Sequence, residues 1–417
     1  MTEGNGGGST QPRAPLAAAT TRGLLLDLIR AAGPISRVEL AAASGLTQAS
    51  VSTIVRQLIN DGLVAETGRG ESTGGKPRVL LEIVPAARYA VGIQLGADSV
   101  SYVVCNLAGR LVGRLRTSGA GTVDPDQAVA AMAERVALLI DGLGIDPNRV
   151  VGIGVVVPGP MDLRSGTVLA PPTLIQWQNF PLRDRLADAT GLPIVLDNDA
   201  TAAAVGEFWS GAIAGSAAHC TVYLGAGLGA GIIIGGSVYR GASSNAGEVG
   251  RIKVGLGRRF TGQTVEDQVM PASVAQAARN ALADGRPAGF VLSDQGDPFA
   301  DFAAVATAAI QGDALAGKLI RSSAQALATA VVAMANILDL DSVSLAGPSF
   351  AIAGTIYVEA VQEMMEREFF AREVHGVTVR LAEHLLEAAA VGGTALVMQH
   401  ELAPRNLSVA SISAIRG

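Results

Sequence analysis

The stretch Thr221-Val222-Tyr223-Leu224-Gly225-Ala226-Gly227-Leu228-Gly229-Ala230-Gly231-Ile232-Ile233-Ile234-Gly235-Gly236 admits two folds. Gly225, Gly227 and Ala230 fit a G-x-G-x-x-A variant of the dinucleotide loop. That loop must follow a strand and open a helix, so that the helix N-terminus meets the pyrophosphate. Here the run passes instead into three isoleucines and a second glycine pair, which reads as a strand and a hairpin. No Walker lysine accompanies it. A glycine-rich loop between two strands can wrap a phosphate with backbone amides, or be a plain hairpin with no ligand. The chain therefore reads as α/β without a dinucleotide-binding fold.

Working outward, residues 89–96, 99–106 and 111–117 read as three consecutive strands, and 124–143 as a long amphipathic helix. Residues 150–157 are continuous Val, Ile and Gly, the pattern of a strand buried on both faces, and they end at Pro158-Gly159-Pro160. A strand opening at 193–196 delivers Asp197-Asn198-Asp199 at its C-terminal end, and 200–210 turns helical. Polar groups at strand ends facing a helix start are where α/β folds place ligand chemistry. Asp199 is thus either a site carboxylate or a cap for that helix.

The N-terminal segment has another texture. Residues 20–32 carry Leu25, Leu28 and Ile29 on one face behind a Thr-Thr start, and stop at Gly33-Pro34. A second helix, about 36–44, starts with Ser36 and has Glu39 three residues later, a capping box, and ends at Gly45. Gly45-Leu46-Thr47 is then the tight turn of a helix-turn-helix. The third helix, about 48–61, places Val51, Ile54, Val55 and Leu58 on one face. Gln48, Ser50, Ser52, Thr53, Arg56 and Gln57 occupy the rest, a hydrogen-bonding surface suited to phosphates and base edges in a major groove. Residues 66–78 form a glycine-rich loop leading to an apolar strand at 79–84, a wing whose Arg69, Lys76 and Arg78 can reach phosphates or the minor groove. The predicted DNA contacts are Thr47, Gln48, Ser50, Ser52, Thr53, Arg56, Arg69, Lys76 and Arg78. A three-helix bundle with a protein-binding hairpin is the bland alternative, and Arg37 and Arg56 could each be solvated charges.

Composition agrees with two parts. At 417 residues, with 49% hydrophobic and 16% charged residues, the chain can bury a large core and is not of disordered composition. Its net charge of −6 is uneven: eight basic against seven acidic residues up to position 85 leave nearly all of the acidity to the rest. The less acidic part is where DNA would be met. Cys105 and Cys220, the two cysteines, offer neither a disulfide framework nor a metal-binding CxxC and read as buried thiols. No apolar run reaches membrane-spanning length. Residues 1–19, rich in Gly, Ser, Thr and Pro without the order of a secretory signal, read as a disordered tail of a cytoplasmic protein.

Several ordered motifs resemble the ROK family (repressors, open reading frames, kinases). They are Gly152-Ile153-Gly154 through Val157-Pro158-Gly159-Pro160-Met161-Asp162, Trp177, Pro181-Leu182, Asp197-Asn198-Asp199 with Ala202-Ala203 and Gly206-Glu207, the glycine run, and Ala246-Gly247-Glu248-Val249-Gly250. The resemblance runs on through Ala346-Gly347 to Val391-Gly392-Gly393. It implies an actin-like (ribonuclease H-like) fold, the two-lobed ATPase and sugar-kinase architecture, with a ligand cleft between the α/β lobes. It matches Asn198 and Asp199 to the Asn-Asp of ROK sugar kinases, where the Asp is general base on the sugar hydroxyl. It also matches Glu248 to the AGE glutamate that binds ring hydroxyls, and Gly159 to the cleft lining.

The departures point away from phosphoryl transfer. The family's first phosphate motif, an Asp followed by a Gly pair and Thr, corresponds here to Gln94-Leu95-Gly96-Ala97-Asp98, and the Thr of the second phosphate loop corresponds to Ala226. The family's zinc ligands, a His after the AGE motif and three Cys, correspond to Arg251 and to Gly255-Leu256-Gly257-Arg258-Arg259, a set that cannot build four-coordinate zinc. No metal and no cofactor are expected.

The expectation is a DNA-binding domain at 20–85 and a ligand-sensing domain of two lobes at 86–417. Together they make a repressor of carbohydrate metabolism or transport genes that binds a double-stranded DNA operator as a homodimer or homotetramer and does not act at a membrane. Gly159, Asn198, Asp199, Glu248, Arg251 and Glu266 would bind a sugar or sugar-phosphate effector, with Asp199 a vestigial catalytic residue. Arg251 either meets an anionic ligand or pairs with Glu248 and closes the pocket. The alternatives are an ATP-dependent ROK sugar kinase, for a hexose or N-acetylhexosamine, with an attached DNA-binding domain, and a regulator that senses another protein through the kinase-like body.

Overall fold

The computed structural model describes residues 21–69, 78–171, 173–213, 215–254, 263–294 and 296–402. The tail at 1–19, the wing tip with Lys76, and the 255–259 stretch matched to the zinc ligands lie outside the described residues.

Three helices and a small sheet open the chain. Helix α1 (Thr21–Ala32) buries Leu25, Leu26, Leu28 and Ile29. A strand that local sequence did not reveal, β1 (Ile35–Ser36), pairs antiparallel with a later one through Ile35 and Leu81. Ser36 then caps α2 (Arg37–Ser44): its hydroxyl accepts from the Glu39 N–H, and its own N–H donates to Glu39 Oε2 at 2.8 Å. The Ser36 hydroxyl, donating to Glu39 Oε2 at 2.7 Å, and then the Ser36 N–H hold the Glu39 carboxyl below the usual carboxylate range, with Arg78 assisting. Gly45 ends the helix in the left-handed region that favours glycine. Thr47 caps α3 (Gln48–Asn60), which stops one residue short of the expected Asp61, now its C-cap. Val51, Val55 and Leu58 are fully buried, whereas Ile54 is only half-buried because it sits at the margin of the apolar stripe. Strands β2 (Val64–Arg69) and β3 (Val79–Ile83) pair antiparallel, so the sheet order is β1-β3-β2.

The body repeats one sheet topology twice. The first lobe holds β4 (Tyr89–Leu95), β5 (Ser99–Asn106), β6 (Leu111–Ser118), α4 (Pro125–Gly142), β7 (Val150–Val157), the short pair β8 (Met161–Asp162) and β9 (Thr167–Val168), α5 (Leu182–Thr190) and β10 (Ile194–Asn198). Its sheet runs β10-β7-β4-β5-β6, with β4, β7 and β10 parallel and β4, β5 and β6 a meander. Helix α6 (Asp199–Trp209) crosses to the second lobe, one residue earlier than expected. There follow β11 (Ala218–Leu224), β12 (Leu228–Ile234), β13 (Ser237–Val238), α7 (Glu266–Val269), α8 (Pro271–Ala283), α9 (Pro298–Ile310), α10 (Ala314–Leu338), β14 (Ser342–Ala346), α11 (Gly354–Glu368) and β15 (Thr378–Leu381). This sheet runs β13-β12-β11-β14-β15. Three meander strands followed by two parallel additions, in the same order in both lobes, make the actin-like duplication. The glycine run is a hairpin, with Leu224 facing Leu228 across Gly225-Ala226-Gly227.

Helix α12 (Ala388–Leu402) returns to the first lobe and lies against α6. A Cβ on Gly392 would fall 1.8 Å from the Ala202 carbonyl oxygen, so only glycine lets these two helices touch backbone to backbone. Cys105 and Cys220 are buried, and burial pushes their thiols up to about 11 and about 12, leaving both unreactive. Among the described residues, no helix is long and apolar enough to cross a membrane.

Candidate functional site

Two regions carry chemistry. On the N-terminal domain, Thr47, Gln48, Ser50, Thr53 and Arg56 are exposed on α3, away from the buried Val51, Val55 and Leu58, and Ser52 is half-buried. Two of these hydroxyls are partly spent on the helix itself. Thr47 Oγ1 accepts from the Ser50 N–H at 3.2 Å, and Thr53 Oγ1 donates to the Ala49 carbonyl. Arg56 has no ion pair among the described residues, whereas Arg37 is held by Glu66 at 2.7 Å. Arg78 is exposed and stands 3.8 Å from Glu39. Arg69 ends β2, with its side chain outside the described residues.

In the body, Gly159, Asn198, Asp199, Glu248, Arg251 and Glu266 all line one cleft of about 620 Å³ between the lobes. The end of β10 and the start of α6 build its floor. Asn198 is the N-cap, its Oδ1 accepting from the Ala200 and Thr201 N–H groups at 2.9 and 3.2 Å. That leaves Nδ2 facing Gly159, where an added Cβ would come within 3.6 Å of it. Asp199 is the first helical residue, and its Oδ1 also accepts from the Ala200 N–H. The helix N-terminus favours its ionised form, but burial outweighs that and, with the Glu248 charge nearby, raises its carboxyl from 3.8 to about 7.

Glu248 is also raised, by burial first and then by the Glu266 charge, with Arg251 opposing. Glu266 is partly structural: its Oε1 accepts from the Leu228 N–H at 3.0 Å, which fixes the glycine hairpin against the cleft. Arg251 is exposed, and its charge acts on Glu248 without a direct salt bridge between the two. Among the described residues its guanidinium is the one cation lining the cleft, beside four acidic side chains, Asp199, Glu248, Glu266 and Asp267.

The sequence reading missed three features. Asn245 and Thr173 line the same cleft. Asn245 stands directly before Ala246-Gly247-Glu248, an adjacency that could have flagged it, whereas nothing local marks Thr173. Arg240, after the β12–β13 hairpin, donates to both oxygens of the buried Asp197 at 3.1 and 2.6 Å and so clasps the second lobe to the strand that presents Asn198. Beside the cleft, a second cavity of about 720 Å³ is lined by Gln94, Gly96, Ala97, Asp98 and Tyr223. There the Gln94 side-chain amide donates to the Tyr223 hydroxyl, joining β4 of one lobe to β11 of the other.

The ROK family model matches residues 90–400, and a winged helix-turn-helix DNA-binding model matches residues 20–65. The xylose repressor of Caldicellulosiruptor bescii is 26% identical over 372 residues, 88% of this chain and 92% of its own length. The glucokinase of Halalkalibacterium halodurans is 27% identical over 319 residues, 75% of this chain and 96% of its own. Among solved structures, a ROK family transcriptional regulator described as a homologue of the Escherichia coli MLC protein superposes with a TM-score of 0.73, covering 95% of this chain and 98% of that one at 23% identity.

Proposed function

The chain belongs to the ROK family and carries a winged helix-turn-helix ahead of its ROK region; from that premise we propose that it is a DNA-binding transcriptional repressor of sugar-utilisation genes, relieved or retuned by a sugar in the interlobe cleft. DNA is read by α3, through Gln48, Ser50, Ser52 and Thr53, with Thr47, Arg56, Arg69, Lys76 and Arg78 on phosphates or the minor groove. The effector lies against Asn198, Asp199, Glu248 and Glu266, with Gly159 leaving room for its ring. Carboxylates and amides are the acceptors and donors that a polyol satisfies. Unpaired by Glu248, Arg251 suits a phosphate or carboxylate on that sugar. A closed homodimer fits the reading of two half-sites.

The observation that carries regulation over catalysis is the Gln94–Tyr223 hydrogen bond. Gln94 stands where ROK kinases place an acid in the phosphate motif, and its amide is already committed to a tyrosine of the opposite lobe. Asp199 keeps a proton affinity suited to a general base, but Ala226 in the hairpin that lines the same cleft lacks the hydroxyl of the kinases' second phosphate loop. The kinase alternative thus rests on Asn198, Asp199 and Glu248 and on the likeness to the glucokinase.

Fluorescence anisotropy of a labelled duplex from immediately upstream of the gene tests the proposal, with D-xylose, D-glucose, N-acetyl-D-glucosamine and glucose 6-phosphate added in turn. One of these sugars is expected to change the DNA affinity. ADP release from ATP with the same sugars, abolished by Asp199→Ala, would establish the kinase instead.

A further inference from the structure

Helix α6 is eleven residues long, all buried, and spans about 16 Å. One end is the effector cleft, where Asn198 caps it and Asp199 begins it. The other end reaches the DNA-binding domain. Trp209 is nearly fully buried, and the Arg30 guanidinium of α1 lies over its indole at 3.8 Å from the ring centroid. Arg30 also donates to the Trp209 carbonyl, and Asp27 holds the guanidinium from behind at 2.7 Å, with both side chains buried. A planar guanidinium stacked on one group and hydrogen-bonded to two fixes distance and orientation together.

Between its ends α6 has little room to flex. A Cβ on Gly231 of β12 would land 2.3 Å from the Ala200 carbonyl oxygen, so strand and helix are in backbone contact near the cleft. Farther along, Gly206 packs on Gly392 of α12. Glu207, buried, is bound by Arg380 at 2.6 Å, Ser344 at 3.1 Å and the Glu383 N–H at 3.1 Å, which ties the helix to β14 and β15 of the second lobe. A close-packed rod held in this way passes a displacement along its length rather than absorbing it. At the far end, α1 shares one core with α3: Leu25 and Leu28 pack in the same cluster as Val51, Val55 and Leu58, which in turn joins Phe208 and Trp209.

We propose that α6 is the element that couples the two sites: effector engagement of Asn198 and Asp199 at its N-terminus reaches α1, and through it the recognition helix α3, by way of the Trp209–Arg30 contact. This rests on the regulator reading above. The two states it switches between are two angles of the lobes about α6 and α12. A sugar that closes the cleft on Asp199 from the Glu248 side shifts that angle and carries Trp209 with it. Coupling in the reverse direction follows by linkage, so DNA must change sugar affinity by the same factor.

The full-length chain tests this. Sugar affinity is measured by calorimetry with D-xylose, D-glucose and N-acetyl-D-glucosamine, and DNA affinity by anisotropy of the upstream duplex, with and without each sugar. The wild type is expected to show a change in DNA affinity of at least about 5-fold on adding the binding sugar. Arg30→Lys keeps a charge beside Asp27 but loses the planar stack, and Trp209→Phe keeps a ring but weakens the cation–π contact. In each variant, sugar alone and DNA alone should bind within about 3-fold of wild type, while the effect of sugar on DNA falls below about 2-fold. Coupling that persists in both variants overturns the inference and leaves the regulator reading standing. Loss of DNA or sugar binding by itself in both variants marks the contact as merely structural and also overturns it. If no sugar binds the wild type, or none shifts its DNA affinity, the regulator reading fails and this inference with it.

Discussion

Asp199 illustrates how a single side chain trades stability for recognition. Burial raises its carboxyl from 3.8 to about 7. Between those values the folded chain holds a proton that the unfolded chain releases. The stability that this group contributes is therefore fully present below about pH 4 and is lost as pH rises through about 7. Asp199→Asn keeps the oxygen that accepts from the Ala200 N–H and removes the buried charge. We expect its stability advantage over wild type to be negligible near pH 4 and to grow to the order of 4 kcal/mol above pH 7, read from urea melts across that range, while sugar binding is lost. The clasp on Asp197 makes the opposite case. Arg240→Met leaves a carboxylate that is 2% exposed without its two-pronged partner. It should destabilise the chain by about 2 kcal/mol and weaken sugar binding through the displaced Asn198, with urea unfolding and calorimetry as the two readouts.

At the scale of elements, the contact of β12 with α6 decides whether the cleft has a floor. Gly229 and Gly231 both face the start of the helix, but not with equal tolerance. A Cβ at 229 would meet the Ala200 side chain at 3.1 Å, which a small shift relieves; one at 231 would meet the Ala200 carbonyl oxygen at 2.3 Å and the Ala204 Cβ at 2.6 Å. Gly231→Ala should therefore cost about 3 kcal/mol or more, and Gly229→Ala about 1, in thermal or denaturant melts. The larger loss should be accompanied by weakened sugar binding, because α6 carries Asn198 and Asp199 at the end that is pushed away. Capping in the DNA-binding domain is a separate account: Ser36→Ala removes the hydroxyl that accepts from the Glu39 N–H, keeps the backbone bond to the Glu39 carboxylate, and should cost about 1 kcal/mol in a melt of the whole chain, with the interlobe cleft unaffected.

At the scale of the whole molecule, a small winged helix-turn-helix domain is docked at the Trp209 end of α6 on a much larger acidic body, and DNA binding must overcome that body's charge. The contribution of Arg56 to phosphate contact is measurable as a salt slope: Arg56→Ala should reduce the slope of log K against log salt by about 1 and lower affinity for unrelated duplexes as well. An unchanged slope would return Arg56 to the class of solvated charges. Features set by near neighbours were legible in the chain. The capping box at Ser36 and Glu39, the apolar stripe of α3, the Asn198-Asp199 strand end and the hairpin in the glycine run each depend on residues within a few positions of one another, where periodicity and backbone sterics suffice. The resemblance of ordered motifs then identified the actin-like duplication that those local signals did not distinguish from other α/β folds. What only the tertiary structure decided are the pairings across long separations: β1 with β3, Gln94 with Tyr223, Arg240 with Asp197 and Arg30 with Trp209. Such pairs leave no periodic trace, because either partner alone is an ordinary glutamine, arginine or tryptophan. It is the closing of the chain around α6 and α12 that brings them into contact and places the interlobe cleft at one end of α6 and the N-terminal domain at the other.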